Sequence, residues 1–136
     1  MKHLSILLIT SGLLLSACSV GVPSTSPDAS EVLPTVPPDY VGKSNPLGAS
    51  AAVAGAVTFK TDCVQCHGDD GKGDGPASPS LDPRPANLVA LGLDVGDDFL
   101  YWRINTGVPG TAMPAWKGIL SDRQIWELVA YIRTLK

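Results

Sequence analysis

Histidine, methionine, cysteine and aromatic side chains are all scarce: two His, two Met, three Cys, two Phe, three Trp and three Tyr in 136 residues. Beyond residue 18 the only Cys or His are Cys63, Cys66 and His67, so a four-ligand zinc site would have to recruit a carboxylate. A site built on two imidazoles is excluded there altogether. Long apolar runs are absent apart from Leu4 to Leu15, twelve positions, too short for a resident membrane helix of about 20 residues. Positive charge is also in the minority, with ten Lys and Arg against thirteen Asp and Glu and a formal net charge of −3. Nothing resembles the basic stripe of a nucleic-acid binder, and no nucleic-acid partner is expected.

What the chain does contain is Cys63-Val64-Gln65-Cys66-His67. This spacing is the attachment signature of a c-type haem. Two thiols three positions apart can each form a thioether to a vinyl group of one porphyrin, and the adjacent imidazole is then held where it can bind the iron. A thioredoxin-like dithiol would need a βαβ context, whereas the flanking sequence is helical on one side and glycine-rich on the other. One haem c is therefore the expected cofactor, with Cys63, Cys66 and His67 binding it and His67 as a metal ligand. A core of about 90 residues gains much from such a large apolar group.

Residues 1–17 read as an export signal, with Lys2 ahead of the apolar stretch. Leu15-Ser16-Ala17-Cys18 resembles the lipobox of bacterial lipoproteins, which implies cleavage before Cys18 and lipid attachment to it; the alternative is an ordinary signal peptide with an incidental cysteine. Cysteine arithmetic agrees with the lipid, since haem claims two thiols and one is left. Residues 18–48, with Pro23, Pro27, Pro34, Pro37 and Pro38, are expected to form a tether. Roughly 28 such residues span ~30 Å as a coil and about 85 Å as polyproline. The alternative is a segment ordered along a partner subunit.

The domain proper is expected over 49–136. A helix is predicted from Ala49 or Ser50 to Thr61, with Gly55 and Phe59 four apart on one face. A second short helix should begin at Asp97-Asp98 and stop at Gly107. A third should follow the N-cap candidate Ser121, with Ile125, Leu128, Val129, Ile132 and Leu135 along one face. The stretch from Gly68 to Pro76 carries four glycines and several aspartates, and is expected to wrap the haem as loop. Lacking a flanking strand and rich in carboxylates, it does not suit phosphate. Calcium on those aspartates is a weaker alternative.

Taken together, Gly55 and Phe59, the Cys63–His67 motif, the loop around Met113 and the pair Leu128 and Tyr131 resemble the class I cytochromes c, from about Ala49 to Lys136. The resemblance implies an all-α fold of three to four helices around one haem. It implies Met113, in a Gly/Pro-rich loop 46 residues after His67, as the second metal ligand, and Trp116 as an aromatic shield of the haem edge. In Pro83-Arg84-Pro85-Ala86-Asn87-Leu88 it points to the Pro85 carbonyl, with Pro76 as second choice, as acceptor of the proton on the outer nitrogen of His67. Trp102 and Arg103 are candidate donors to a haem propionate.

One-electron transfer is the expected function, with no catalytic residues, because His and Met together fill the iron's coordination sphere. Donor and acceptor are expected to be redox proteins, on the outer, periplasmic or extracytoplasmic, face of the cell membrane. The chain resembles small cytochrome c subunits of quinol-oxidising complexes such as alternative complex III. A mobile carrier to an oxidase or reaction centre, and a haem enzyme or small-ligand sensor with a labile Met113, are the alternatives.

Overall fold

The computed structural model describes residues 33–136, and the chain divides after Leu33 into two units. Cys18, residues 1–17 and most of the expected tether lie outside the described residues. The second unit, Pro34–Lys136, is helical, with no strand among the described residues. Its elements are a 3-10 turn at Ala49–Ala51, α1 (Ala52–Asp62), α2 (Val64–His67), a 3-10 turn at Ser78–Ser80, α3 (Leu88–Asp94), α4 (Asp97–Thr106) and α5 (Asp122–Ile132). The expected all-α architecture is what the described residues adopt.

Local chemistry sets the helix ends. The Asn87 side chain accepts from Val89 N (3.0 Å) and Ala90 N (3.1 Å), capping α3. Asp97 and Asp98 occupy the positive first turn of α4, which stops at Gly107 with φ of 69°. A reciprocal capping box starts α5: Gln124 N donates to Ser121 Oγ (3.3 Å) and Ser121 N to Gln124 Oε1 (3.0 Å). Leu88–Asp94 is a helix beyond those expected from the sequence. Its signal was the cap at Asn87, which a seven-residue segment offers without room for a clear 3.6-residue period.

The core gathers Phe59, Leu100, Ile104, Ile125, Leu128, Val129 and Ile132 from α1, α4 and α5. At its centre α1 crosses α5 backbone to backbone: a Cβ on Gly55 would overlap the Glu127 carbonyl. One turn on, the Phe59 and Tyr131 rings stand 5.0 Å apart. The absence of a side chain at Gly55 is thus a packing requirement that outweighs its poor helix propensity. Glu127, whose carbonyl meets this crossing, is buried, and its carboxylate accepts from Arg123 Nε at 2.9 Å.

Residues 34–48, expected as the end of the tether, belong instead to the second unit. The chain turns at Pro37, whose carbonyl accepts from Tyr40 N (2.9 Å) and Val41 N (3.0 Å). It is then fastened by Tyr40 Oη to Asn105 Oδ1 (2.9 Å), Gly42 N to Asp98 Oδ2 (2.9 Å), Asn45 N to Asp97 Oδ2 (3.1 Å) and Asn45 Nδ2 to the Trp126 carbonyl (2.7 Å). Proline-rich composition leaves backbone groups without a ladder, and here distant side chains and carbonyls satisfy them.

Gly55→Val should force α1 and α5 apart and destabilise the domain by about 3 kcal/mol, lowering the unfolding midpoint by roughly 10 °C or more. A thermal melt followed by far-UV circular dichroism checks this; an unchanged midpoint would show that the crossing can relax.

Candidate functional site

Cys63 ends α1 through its N–H bond to the Phe59 carbonyl (2.9 Å) and opens α2, where Cys66 N and His67 N both donate to the Cys63 carbonyl (3.1 and 2.9 Å). That turn puts the two thiols three residues apart on one helix face. Both are unpaired and half-buried. Burial first, and then the negative field of Asp62 and Cys66, push the Cys63 thiol up to about 12. A redox dithiol needs a thiolate, and burial opposes one at Cys63. The thioredoxin-like reading also finds no sheet among the described residues.

A helix of four residues cannot satisfy its own carbonyls, and the glycine-rich loop does so instead. Gly73 N donates to the His67 carbonyl (2.9 Å), Gly75 N to Cys66 (3.1 Å) and Ala77 N to Gln65 (2.9 Å). A Cβ at Gly75 would overlap the carbonyls of Val64 and Gln65, and Gly73, at φ of 78°, lies against the Pro85 carbonyl. The loop is thus a backbone cradle under α2. Asp69, Asp70 and Asp74 face solvent, and no three His, Cys, Asp or Glu side chains among the described residues form a cation site.

His67 Nδ1 lies 3.1 Å from the Ala86 carbonyl. Burial holds the imidazole below its ordinary value while the bond to Ala86 acts in the opposite sense. The ring is therefore neutral at neutral pH with Nδ1–H donated, and Nε2 keeps its lone pair for a metal. The acceptor is Ala86, one residue beyond the expected Pro85; Pro76 is exposed and plays no such part. Register explains the shift. Leu88 N is drawn onto the Gly71 carbonyl (2.7 Å) and Asn87 onto α3, which turns the Pro85 carbonyl toward Gly73 and leaves that of Ala86 facing the ring.

Met113 sits half-buried in a loop stitched at several points. Val108 N donates to the Met113 carbonyl (3.1 Å), Met113 N to Thr111 Oγ1 (3.1 Å), and Gly107 packs directly against the backbone of Met113 to Ala115. The loop closes on the last turn of α4, with Trp116 N on the Ile104 carbonyl (3.1 Å) and Lys117 N on that of Asn105 (3.0 Å). Trp116 is partly buried against the core. Trp102 and Arg103 engage each other: the guanidinium lies 4.1 Å from the Trp102 ring centre and 5.4 Å from that of Phe99, and burial lowers its pKa. Among the described residues Arg103 has no carboxylate partner.

These features fit a haem. Two thiols share one helical face, an imidazole has a free Nε2, and a stacked guanidinium keeps its donors for an acid group such as a propionate. An all-helical domain carrying this arrangement defines a c-type cytochrome. The family model described as "Cytochrome C oxidase, cbb3-type, subunit III" matches residues 50–132, and the chain belongs to that family; its cofactor is covalently bound haem c.

Among curated proteins the chain is 32% identical over 92 residues to the Rhizobium leguminosarum "Cbb3-type cytochrome c oxidase subunit FixPc", covering 68% of this chain and 30% of that one. It is 34% identical over 101 residues to FixP of Azorhizobium caulinodans, covering 71% and 32%. To the "Alcohol dehydrogenase (quinone), cytochrome c subunit" of Gluconacetobacter polyoxogenes it is 32% identical over 114 residues, covering 75% and 24%. A solved structure, the "Kuenenia stuttgartiensis reducing HAO-like protein complex", aligns with a TM-score of 0.56 at 28% identity, covering 64% of this chain and 44% of that one. The chain thus spans about a third or less of the length of these curated relatives.

Removing the cap with Asn87→Ala should cost about 1 kcal/mol of stability and loosen the carbonyl that faces His67. A less basic imidazole stabilises ferric iron less, so the midpoint potential should rise, on the order of tens of millivolts. Denaturant titration and redox titration of the same preparation check the two effects.

Proposed function

We propose that this cytochrome transfers single electrons on the outer face of the cell membrane with His67 and Met113 as axial ligands, as electron-exit subunit of, or close partner to, a quinol-oxidising complex. What supports the reading is an oriented His67, its Nδ1 on the Ala86 carbonyl, together with Met113, the one methionine among the described residues, in a loop pinned by its own hydrogen bonds. A coordination sphere filled from both sides has no place for a substrate, so the protein acts as a relay and not as an enzyme. Haem c supplies the one-electron couple; the polypeptide supplies ligands, orientation and exclusion of water.

Names of relatives support the placement in a larger assembly, since those quoted above are called subunits of an oxidase and of a quinone-linked dehydrogenase. Among the described residues no helix is long and apolar enough to cross a membrane. A lipid on Cys18 would then provide the attachment. That cysteine lies about 15 residues ahead of Pro34, where the second unit begins.

Met113→Ala should leave the haem covalently attached and lower the potential by on the order of 100 mV or more, because the thioether favours ferrous iron. Carbon monoxide should then bind the reduced form readily. A redox titration with an unchanged midpoint would remove Met113 from the coordination sphere.

Cys18→Ser should release the protein from membranes with its visible spectrum intact. Fractionation after a high-salt wash reads the outcome: protein that still sediments is held by a partner complex and not by lipid.

A further inference from the structure

The segment that runs ahead of the family-matched region clamps both ends of α4. Gly42 and Asn45 bind the carboxylates of Asp98 and Asp97 at its start, while Tyr40 reaches the side chain of Asn105 in its last turn. Asn105 is 4% exposed, and its partner lies 65 residues away in sequence. The Tyr40 ring also packs 6.2 Å from that of Tyr101, so the hydroxyl is aimed by a fixed aromatic surface.

That last turn is where the Met113 loop is attached. The carbonyls at a helix C-terminus have no partner within the helix, and terminal turns fray. In α4 those of Ile104 and Asn105 receive Trp116 N and Lys117 N, the closing bonds of the loop. If the last turn unwinds, both acceptors move and the loop loses its floor. A hydrogen bond from a separately anchored segment to the Asn105 side chain opposes that unwinding.

We propose that Tyr40 is a positioning residue that keeps the Met113 loop closed by holding Asn105. Its bearing on the iron rests on the reading of Met113 as ligand; its grip on the loop does not. Tyr101 supplies the control. Its hydroxyl makes a bond of the same kind, 2.8 Å to Asp122 Oδ1, but to the first residue of α5 and not to the turn of α4 whose carbonyls receive the loop.

The test is amide hydrogen exchange by NMR on the reduced, full-length holoprotein, comparing Tyr40→Phe with Tyr101→Phe. In Tyr40→Phe the amides of Val108, Trp116 and Lys117 should exchange at least about fivefold faster than in Tyr101→Phe, the factor expected for one lost hydrogen bond. Carbon monoxide binding should accelerate by a similar factor in Tyr40→Phe alone. Equal exchange at these amides in the two variants overturns the proposal. The weak red charge-transfer band of methionine-ligated ferric haem, recorded on the wild-type protein, tests the ligand reading separately: its absence removes Met113 as ligand and leaves the exchange data to decide on the clamp.

Discussion

A helix of one turn has more backbone acceptors than it can satisfy, and much of the haem-binding half of this domain is arranged around that deficit at α2. The three carbonyls from Gln65 to His67 are taken by Ala77, Gly75 and Gly73 in turn, so the chain must double back directly beneath the attachment motif. At Gly73 and Gly75 a side chain would collide with the neighbouring carbonyls. Once there, the loop is locked by Ser78 Oγ on the Gly73 carbonyl and by Leu88 N on the Gly71 carbonyl, and these bonds place Ala86 opposite His67. The orientation of the imidazole therefore follows from a sequence of main-chain contacts, with no charged side chain involved.

Much of this was legible before any coordinates. The attachment motif, the glycine and aromatic of α1, their partners on α5 and the capping residue Ser121 carry signals that are local or periodic, and each stands where the spacing puts it. What escaped was of a different kind. Tyr40 and Asn45 act across 65 and 81 residues through single polar bonds, which leave no pattern along the chain. The shift from Pro85 to Ala86 depends on register set by Asn87 and Leu88, a one-residue matter that resemblance cannot settle. Trp102 and Arg103 are expected as donors to a propionate; in the structure they engage each other and Phe99, where Phe99–Arg103 is a helical i, i+4 pair and Phe99–Trp102 an i, i+3 pair.

Helix α4 emerges as the element on which separate parts of the chain converge. Arg133, just past α5, joins it to α3: Nη2 pairs with Asp97 Oδ1 (2.8 Å) and also donates to the Val95 carbonyl (2.9 Å), while Nη1 donates to the carbonyl of Gly92. The pair is partly exposed, so its Coulomb energy is modest, up to about 1 kcal/mol. Its geometric effect is larger, because one guanidinium closes the end of α3 and fixes the start of α4 at once.

The Gly55 crossing has a consequence for the order in which the domain can be assembled. Its two helices lie at opposite ends of the domain sequence, so the first to leave a ribosome or an export channel waits for the last. Contacts of such long separation cannot form until the whole chain is present, and they carry the largest loop-closure entropy. During that interval α1 has no surface to pack on, and the thiols of Cys63 and Cys66 stand outside any core. Covalent attachment at Cys63 and Cys66 would meet least obstruction before α5 packs on α1.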